Sequence, residues 1–208
     1  MRFLLFLLYK EIDPSCNSED GKTLIKVNDT SQNLIISAKC ENIKNNCFSD
    51  LKSLITFTFE DNPNLTSIGD SSFMYCSYLI IINLSACNKL TTISDSAFQS
   101  CQKVTEILLP KGLIKIGYYA FLENKLVTSI FIPSTVKYIY HSAFYFCVKL
   151  ENVIFEEGSN LISLDEKLFY STNITSFQIP ENVIKFDGSV FSDVKITNIT
   201  IHHKNKHF

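Results

Sequence analysis

Laid against itself, this sequence reads as a repeat solenoid in which each turn contributes one short parallel strand. Three observations support that reading. A phenylalanine recurs at Phe48, Phe73, Phe98, Phe121, Phe144, Phe169 and Phe191, with spacings of 25, 25, 23, 23, 25 and 22 residues. Other apolar residues keep fixed offsets from it along most of the chain. Composition agrees: Phe occurs 17 times while Trp is absent and Met occurs twice, so one aromatic type is being reused. A fixed period of this length, inside the roughly 20–29-residue range of leucine-rich repeats, marks units that bury their apolar faces only by stacking.

The expected fold is therefore a leucine-rich-repeat, right-handed β/α superhelix. It has one short parallel strand per repeat and a short helical or 3₁₀ turn opposite. At the N-terminus, Met1-Arg2 precedes the apolar run Phe3 to Tyr9, the charge-then-hydrophobic order of a secretory signal at the minimum length for its core. That run is far too short to span a bilayer, and no A-x-A-like cleavage site follows it. The competing reading is a strand or short helix packed on the first repeat, or the remnant of a longer gene product. Residues 1–32 fit no column and are expected to form a capping N-terminal segment. Residues 33–208 form the repeat domain, about seven repeats after a half-repeat at Leu34 and Ile36.

Within a repeat, the residue five before each Phe is always apolar: Ile43, Ile68, Ile93, Ile116, Ile139, Leu164 and Phe186. Three earlier stand Cys40, Leu65, Leu90, Leu113, Val136, Leu161 and Val183. Immediately before the Phe the residues are mostly small, as in Ala97, Ala120 and Ala143, where the backbone is expected to crowd its neighbour. Positions +6, +9 and +11 are apolar again, for example Val104, Ile107 and Leu109, and the last two repeats rejoin these columns after a one-residue deletion. Two apolar residues separated by one have the period of a strand with a single buried face. Pro110, Pro133 and Pro180 close their strands where a missing N–H is tolerated.

The columns combine into L-x2-I-x4-F-x2-C-x2-L-x2-I-x-L-P, seen best from Leu90 through Ile93, Ala97-Phe98, Cys101, Val104 and Ile107 to Leu109-Pro110. This signature resembles the BspA-like class of leucine-rich repeats, found in surface antigens of protists and certain bacteria. The likeness covers residues 34–201, with Leu51, Asn124, Thr172 and Val194 departing from the Cys column. The resemblance implies a curved solenoid used for recognition, often adhesion to host cells, matrix or other microbes, with members secreted or surface-exposed. It implies no enzyme activity and transfers no binding residue, because its defining columns are structural.

Several chemistries find no support. A net charge of -2 with Lys, Asp and Glu scattered gives no basic stripe for nucleic acid. Of the seven cysteines, Cys76, Cys101 and Cys147 share an interior column where free Cys acts as a small hydrophobe. Cys16, Cys40 and Cys47 lie where a disulfide is conceivable. No C-x2-C pair supports zinc. A nucleophile constellation would need His141, yet no G-x-S-x-G elbow accompanies it; His202, His203 and His207 read as a solvated tail. Gly112 and Gly117 have phosphate-loop spacing, but Tyr118-Tyr119 stand where Lys-Ser/Thr is required. Glu156-Glu157 and Asp165-Glu166 read as solvated loop charges. Sequons occur at Asn28, Asn64, Asn83, Asn173 and Asn198.

Binding is expected on the solvent face of the strands, at +8 and +10 from the Phe. The +10 column reads Ile35, Thr58, Asn83, Leu108, Phe131, Ile154, Gln178 and Thr200, with Glu106, Ser129 and Asn152 beside the apolar three at +8. An exposed apolar patch with a polar rim marks an interaction site. The candidate ligand-binding residues are therefore Glu106, Leu108, Ser129, Phe131, Asn152 and Ile154. The reading is a non-enzymatic recognition or adhesion protein, on the cell surface or secreted, without cofactor or metal. Its partner would be a protein or cell-surface ligand. The alternative is an intracellular interaction scaffold, which the reduced-looking cysteine column favours. Ile201 completes a strand and a polar tail follows: either the tail shields that edge or the chain is part of a longer array, and an uncapped edge there would allow end-to-end self-association.

Overall fold

The computed structural model of the chain describes residues 9–201; the bulk of the Phe3–Tyr9 run and the tail histidines His202, His203 and His207 lie outside them. Among the described residues seventeen strands, numbered along the chain, alternate between two faces of the coil, odd on the first and even on the second, and pair into six parallel sheets. The odd strands are β1 (Lys10–Glu11), β3 (Asn33–Ile36), β5 (Thr56–Phe59), β7 (Ile81–Asn83), β9 (Glu106–Leu108), β11 (Ser129–Ile132), β13 (Asn152–Phe155), β15 (Ser176–Ile179) and β17 (Asn198–Ile201). β3 to β17 are the strands expected from the half-repeat and the +9 and +11 columns, whereas β1 lies in the segment that fits no column. All pairings are parallel, in the groups β1-β3-β5, β7-β9, β11-β13 and β15-β17. Equivalent residues of neighbouring coils face each other, as in Phe131 opposite Ile154.

The even strands are the first departure from expectation. They are β2 (Thr23–Leu24), β4 (Asn42–Ile43), β6 (Ser67–Ile68), β8 (Thr92–Ile93), β10 (Lys115–Ile116), β12 (Tyr138–Ile139), β14 (Ser163–Leu164) and β16 (Lys185–Phe186). Six of them, β2 to β12, form one parallel sheet, and β14 pairs with β16. Each coil thus carries two strands rather than one. Among the described residues the only helical segment is the 3₁₀ turn Pro14–Cys16. The cause lies in where the N–H groups go: Gly69, Ser94, Gly117 and Tyr140 donate to the carbonyls of Ile43, Ile68, Ile93 and Ile116 in the preceding coil. A helix would have consumed those donors internally. Residues before 33 add to both faces as well, β1 pairing with β3 and Leu24 standing opposite Ile43.

Around Phe48 and its successors in the middle of the stack, alternate N–H groups serve different partners. Those at −1, +1 and +3 close local turns, as from Cys47 to Lys44, Ser49 to Asn46 and Leu51 to Phe48. Those at −2, 0 and +2 reach the next coil, as from Asn46 to Asp70, Phe48 to Ser72 and Asp50 to Met74. The same triplet recurs at Ser71, Phe73 and Tyr75, and at Ser96, Phe98 and Ser100. Turning every second donor outward needs the left-handed backbone, and positions −2 and +2 have it: φ is 58° at Asn46, 63° at Asp50, 54° at Ser71 and 62° at Tyr75. A side chain there costs about 1–2 kcal/mol per residue, which the inter-coil hydrogen bond offsets. The expected 3₁₀ turn is thus present only in every second hydrogen bond.

The core is a ladder of rings. Phe48, Phe73, Phe98, Phe121, Phe144, Phe169 and Phe191 stack consecutively, with centroids 4.3, 4.9, 5.7, 5.4, 5.8 and 5.8 Å apart. The first six are fully buried. Beside them the Cys column does more than fill space. The thiols of Cys76, Cys101 and Cys147 donate to the carbonyls of Phe48, Phe73 and Phe121, one coil back. Asn124 takes the same place and donates to Phe98 and Phe121. All seven cysteines are free.

Coil length varies in the loop after the odd strand, by two residues, and in the last two coils also by the one-residue deletion between the Phe and the odd strand. Residues 60–64, 85–89 and 156–160 make five-residue loops, whereas 110–112, 133–135 and 180–182 make three-residue ones. In the short loop Gly112 packs so closely on the preceding coil that a Cβ would sit 2.3 Å from the Asn88 carbonyl oxygen. That close approach, not a phosphate, is what the glycine serves.

Candidate functional site

The outer face of the odd strands carries the residues singled out by alternation. Glu106 and Leu108 lie on β9, Ser129 and Phe131 on β11, Asn152 and Ile154 on β13, and all six are exposed. Leu108, Phe131 and Ile154 are 36, 49 and 52 % exposed, while Ile107 and Ile130 between them are buried. Phe131 faces Ile154 and Ser129 faces Asn152 in register, and Leu108 faces Asn83 on the other side. β9 abuts β11 without joining its ladder. The three apolar side chains form one row, rimmed by Glu106, Ser129 and Asn152. Ile35, expected in the same outward column, is instead buried between Glu11 and Thr58.

The remaining candidates are structural in their contacts. His141 packs against Tyr118 and Tyr119, with ring centroids 4.6 and 5.1 Å away. Its Nδ1 lies 3.3 Å from the Ser142 hydroxyl, but Ser142 is buried and offers no oxygen to a substrate. Burial pushes the thiols of Cys47, Cys76, Cys87 and Cys147 up to about 12, which keeps them protonated and unreactive at neutral pH. Among the sequons, Asn64 is half-buried and donates to the Ala38 carbonyl, Asn173 is exposed and donates to Glu151, and Asn28, Asn83 and Asn198 are exposed.

Two features escaped the sequence. Glu156, expected as a solvated loop charge, is half-buried, and its Oε2 accepts the Ser134 N–H and hydroxyl, both at 2.8 Å. These bonds hold its carboxyl below the usual carboxylate range. Next to it, a cleft of about 340 Å³ opens between β13 and β15. Its signal in the sequence is the coil spacing of 25 between neighbours of 23 and 22.

Two faces of parallel strands, one coil per 22–25 residues and a continuous Phe core define a leucine-rich-repeat solenoid. The match to the BspA type leucine rich repeat region, six copies over residues 27–126 and 91–208, shows that the chain belongs to that family. No curated protein matches it. Among solved structures it is similar to a leucine rich repeat protein of T. pallidum, with TM-score 0.69 and 19 % identity, covering 92 % of this chain and 86 % of that one. It is also similar to a leucine-rich repeat protein from Bacteroides ovatus, with TM-score 0.57 and 18 % identity, covering 95 % and 70 %. At these identities the likeness speaks for the fold. Among the described residues no helix is long and apolar enough to cross a membrane.

Proposed function

We propose that this chain is a non-enzymatic recognition or adhesion protein, displayed at the cell surface or released, which binds a protein or cell-surface ligand on the outer face of its odd strands. Membership of a repeat family that typically serves protein interaction rather than catalysis supports the general role. The single observation behind the location is the row Leu108, Phe131 and Ile154, in which three large apolar side chains stay exposed on adjacent coils. Solvent gains nothing from them there, whereas a partner would bury them at about 25 cal/mol per Å². Glu106, Ser129 and Asn152 supply the polar rim that fixes orientation.

The test is a pull-down from solubilised host and microbial surfaces with the wild-type chain and with Phe131→Asp. Proteins retained by the wild type are expected to be lost with the variant, at unchanged circular dichroism. Equal recovery by both, with equal solubility, removes the row as the site. A second reading, an intracellular interaction scaffold, is favoured by the seven free cysteines, since exported proteins of this cysteine content usually form disulfides. Cell fractionation with glycosidase treatment separates the two. A surface-accessible chain that shifts on deglycosylation supports display, and an unmodified cytosolic chain supports the scaffold.

A further inference from the structure

The fold treats the asparagines of the sequons differently. At Asn64 both ends of the amide serve the coil: Nδ2 donates to the Ala38 carbonyl, and Oδ1 accepts from the Lys89 ammonium at 2.6 Å. Asn160 and Asn182, at the same place in later loops, donate likewise to the carbonyls of Ser134 and Ser159. Asn64 is thus part of a structural column, and the Thr66 hydroxyl of its tripeptide is spent on the Glu41 carbonyl. Asn83 is the reverse case. It ends β7 in solvent, and Leu84 after it is fully buried, so Asn83 and Ser85 both turn outward. Its Oδ1 accepts the Ser85 N–H at 3.1 Å and the Ser85 hydroxyl at 2.7 Å, while its Nδ2 donates to no group among the described residues. A bond made at Nδ2 leaves both of these in place, because a substituted amide keeps its carbonyl acceptor. Ser85, Ala86, Asn88 and Lys89 are exposed, so the loop that follows gives a bulky substituent open solvent.

We propose that Asn83 is an N-glycan acceptor. The proposal rests on the reading of display or release, since such a glycan is added only in a secretory compartment. The donor is an oligosaccharide carried on a polyprenyl diphosphate. Asn83 Nδ2 bonds to the anomeric carbon as the bond from that carbon to the diphosphate oxygen breaks. The electron pair leaves with the diphosphate, and the amide gives up one proton to a base of the transferase, so nothing is oxidised or reduced. In the folded chain the sugar stands beside Leu108, which faces Asn83 in register one coil on. It bounds the exposed apolar row on that side and leaves Phe131 and Ile154 open to a partner.

The test imposes export, so that the site is judged apart from the chain's native location. The full chain is sent through the secretory pathway of a glycosylating eukaryotic cell behind a cleavable signal and purified from the medium as folded protein. Peptide-N-glycosidase in heavy-oxygen water then converts each glycosylated Asn into a labelled Asp. Peptide mass spectrometry should find the label at Asn83, at several-fold the occupancy of Asn64. Ser85→Ala should remove it from Asn83 and from no other sequon. Asn83→Gln should lose one glycan at an unchanged melting temperature, whereas Asn64→Gln, which disturbs two inter-coil bonds, should melt lower. An unmodified Asn83 in the secreted chain overturns the proposal and leaves the display reading standing. Equal occupancy of Asn64 and Asn83 in the folded product overturns the geometric argument for it. A native chain recovered unmodified from the cytosol overturns display and the glycan together.

Discussion

Replacing Phe121 by alanine removes one ring from the middle of the stack. The ring is fully buried and lies 5.7 Å from Phe98 and 5.4 Å from Phe144, nearly parallel to both. Phe→Ala at such sites costs about 3–5 kcal/mol, because the hole is roofed and floored by rings whose own stacking prevents collapse. The internal comparison is Phe191→Ala. Phe191 is half-buried, and its stacked neighbour, Phe169 at 5.8 Å, lies in the preceding coil. Half of the roughly 1.5–3 kcal/mol for burying a Phe, about 1 kcal/mol, is expected there. Urea unfolding followed by far-ultraviolet circular dichroism and tyrosine fluorescence, the chain having no Trp, gives both values. Equal losses in the two variants, or less than about 1 kcal/mol for Phe121→Ala, would refute the continuous stack as the source of stability.

Three further outcomes follow. Gly112→Ala should cost about 1–3 kcal/mol, read as a lower melting temperature, because its Cβ meets the backbone oxygen of Asn88 at 2.3 Å and two coils must part. Asp29 should make the first coil acid-sensitive. The Lys10 ammonium 2.7 Å away, together with hydrogen bonds from Ser31, lowers its carboxyl to about 2. A carboxyl lowered in the folded state stabilises fully above its unfolded value of about 3.9 and loses that contribution as pH falls toward 2. The melting-temperature gap between wild type and Asp29→Asn should therefore be full at pH 6 and close near pH 2. Iodoacetamide at pH 8 should modify Cys16, the half-buried thiol, and reach all seven cysteines in urea. Rapid labelling of Cys101 in the folded chain, read by mass spectrometry, would contradict its burial.

Side chains with a one-coil period were legible; hydrogen bonds with a two-residue period were not. The Phe, Ile and Leu columns lie in the core because burial depends on residue type, and residue type is what a self-comparison aligns. The even strands left no trace of alternation, since Ser67–Ile68 or Thr92–Ile93 is too short to show a period. The left-handed positions were hidden for a different reason. They hold Asn, Asp, Ser, Tyr, Glu, Phe and Lys, and not the glycine that usually betrays such a backbone. Cysteine was placed correctly inside, but its donor role shows only when Asn124 makes the same bond from the same position. On the outer face, alternation located Leu108, Phe131 and Ile154. It could not reveal the cleft, which arises from a difference in loop length between two coils and from no residue alone.

From the first coil to Phe169 the length differences fall in one loop per coil, which bears on how such a gene can change. Excising residues 111–133 would join Pro110 to Ser134-Thr135-Val136, restoring the distance that now separates Pro133 from Val136. Phe98 would then meet Phe144, and Leu108 would meet Ile154, with neither seam nor frame to repair. Loss or duplication of whole coils is thus nearly silent for folding and yet resizes the outward apolar row, so descent can alter reach and partner before it alters a single core residue.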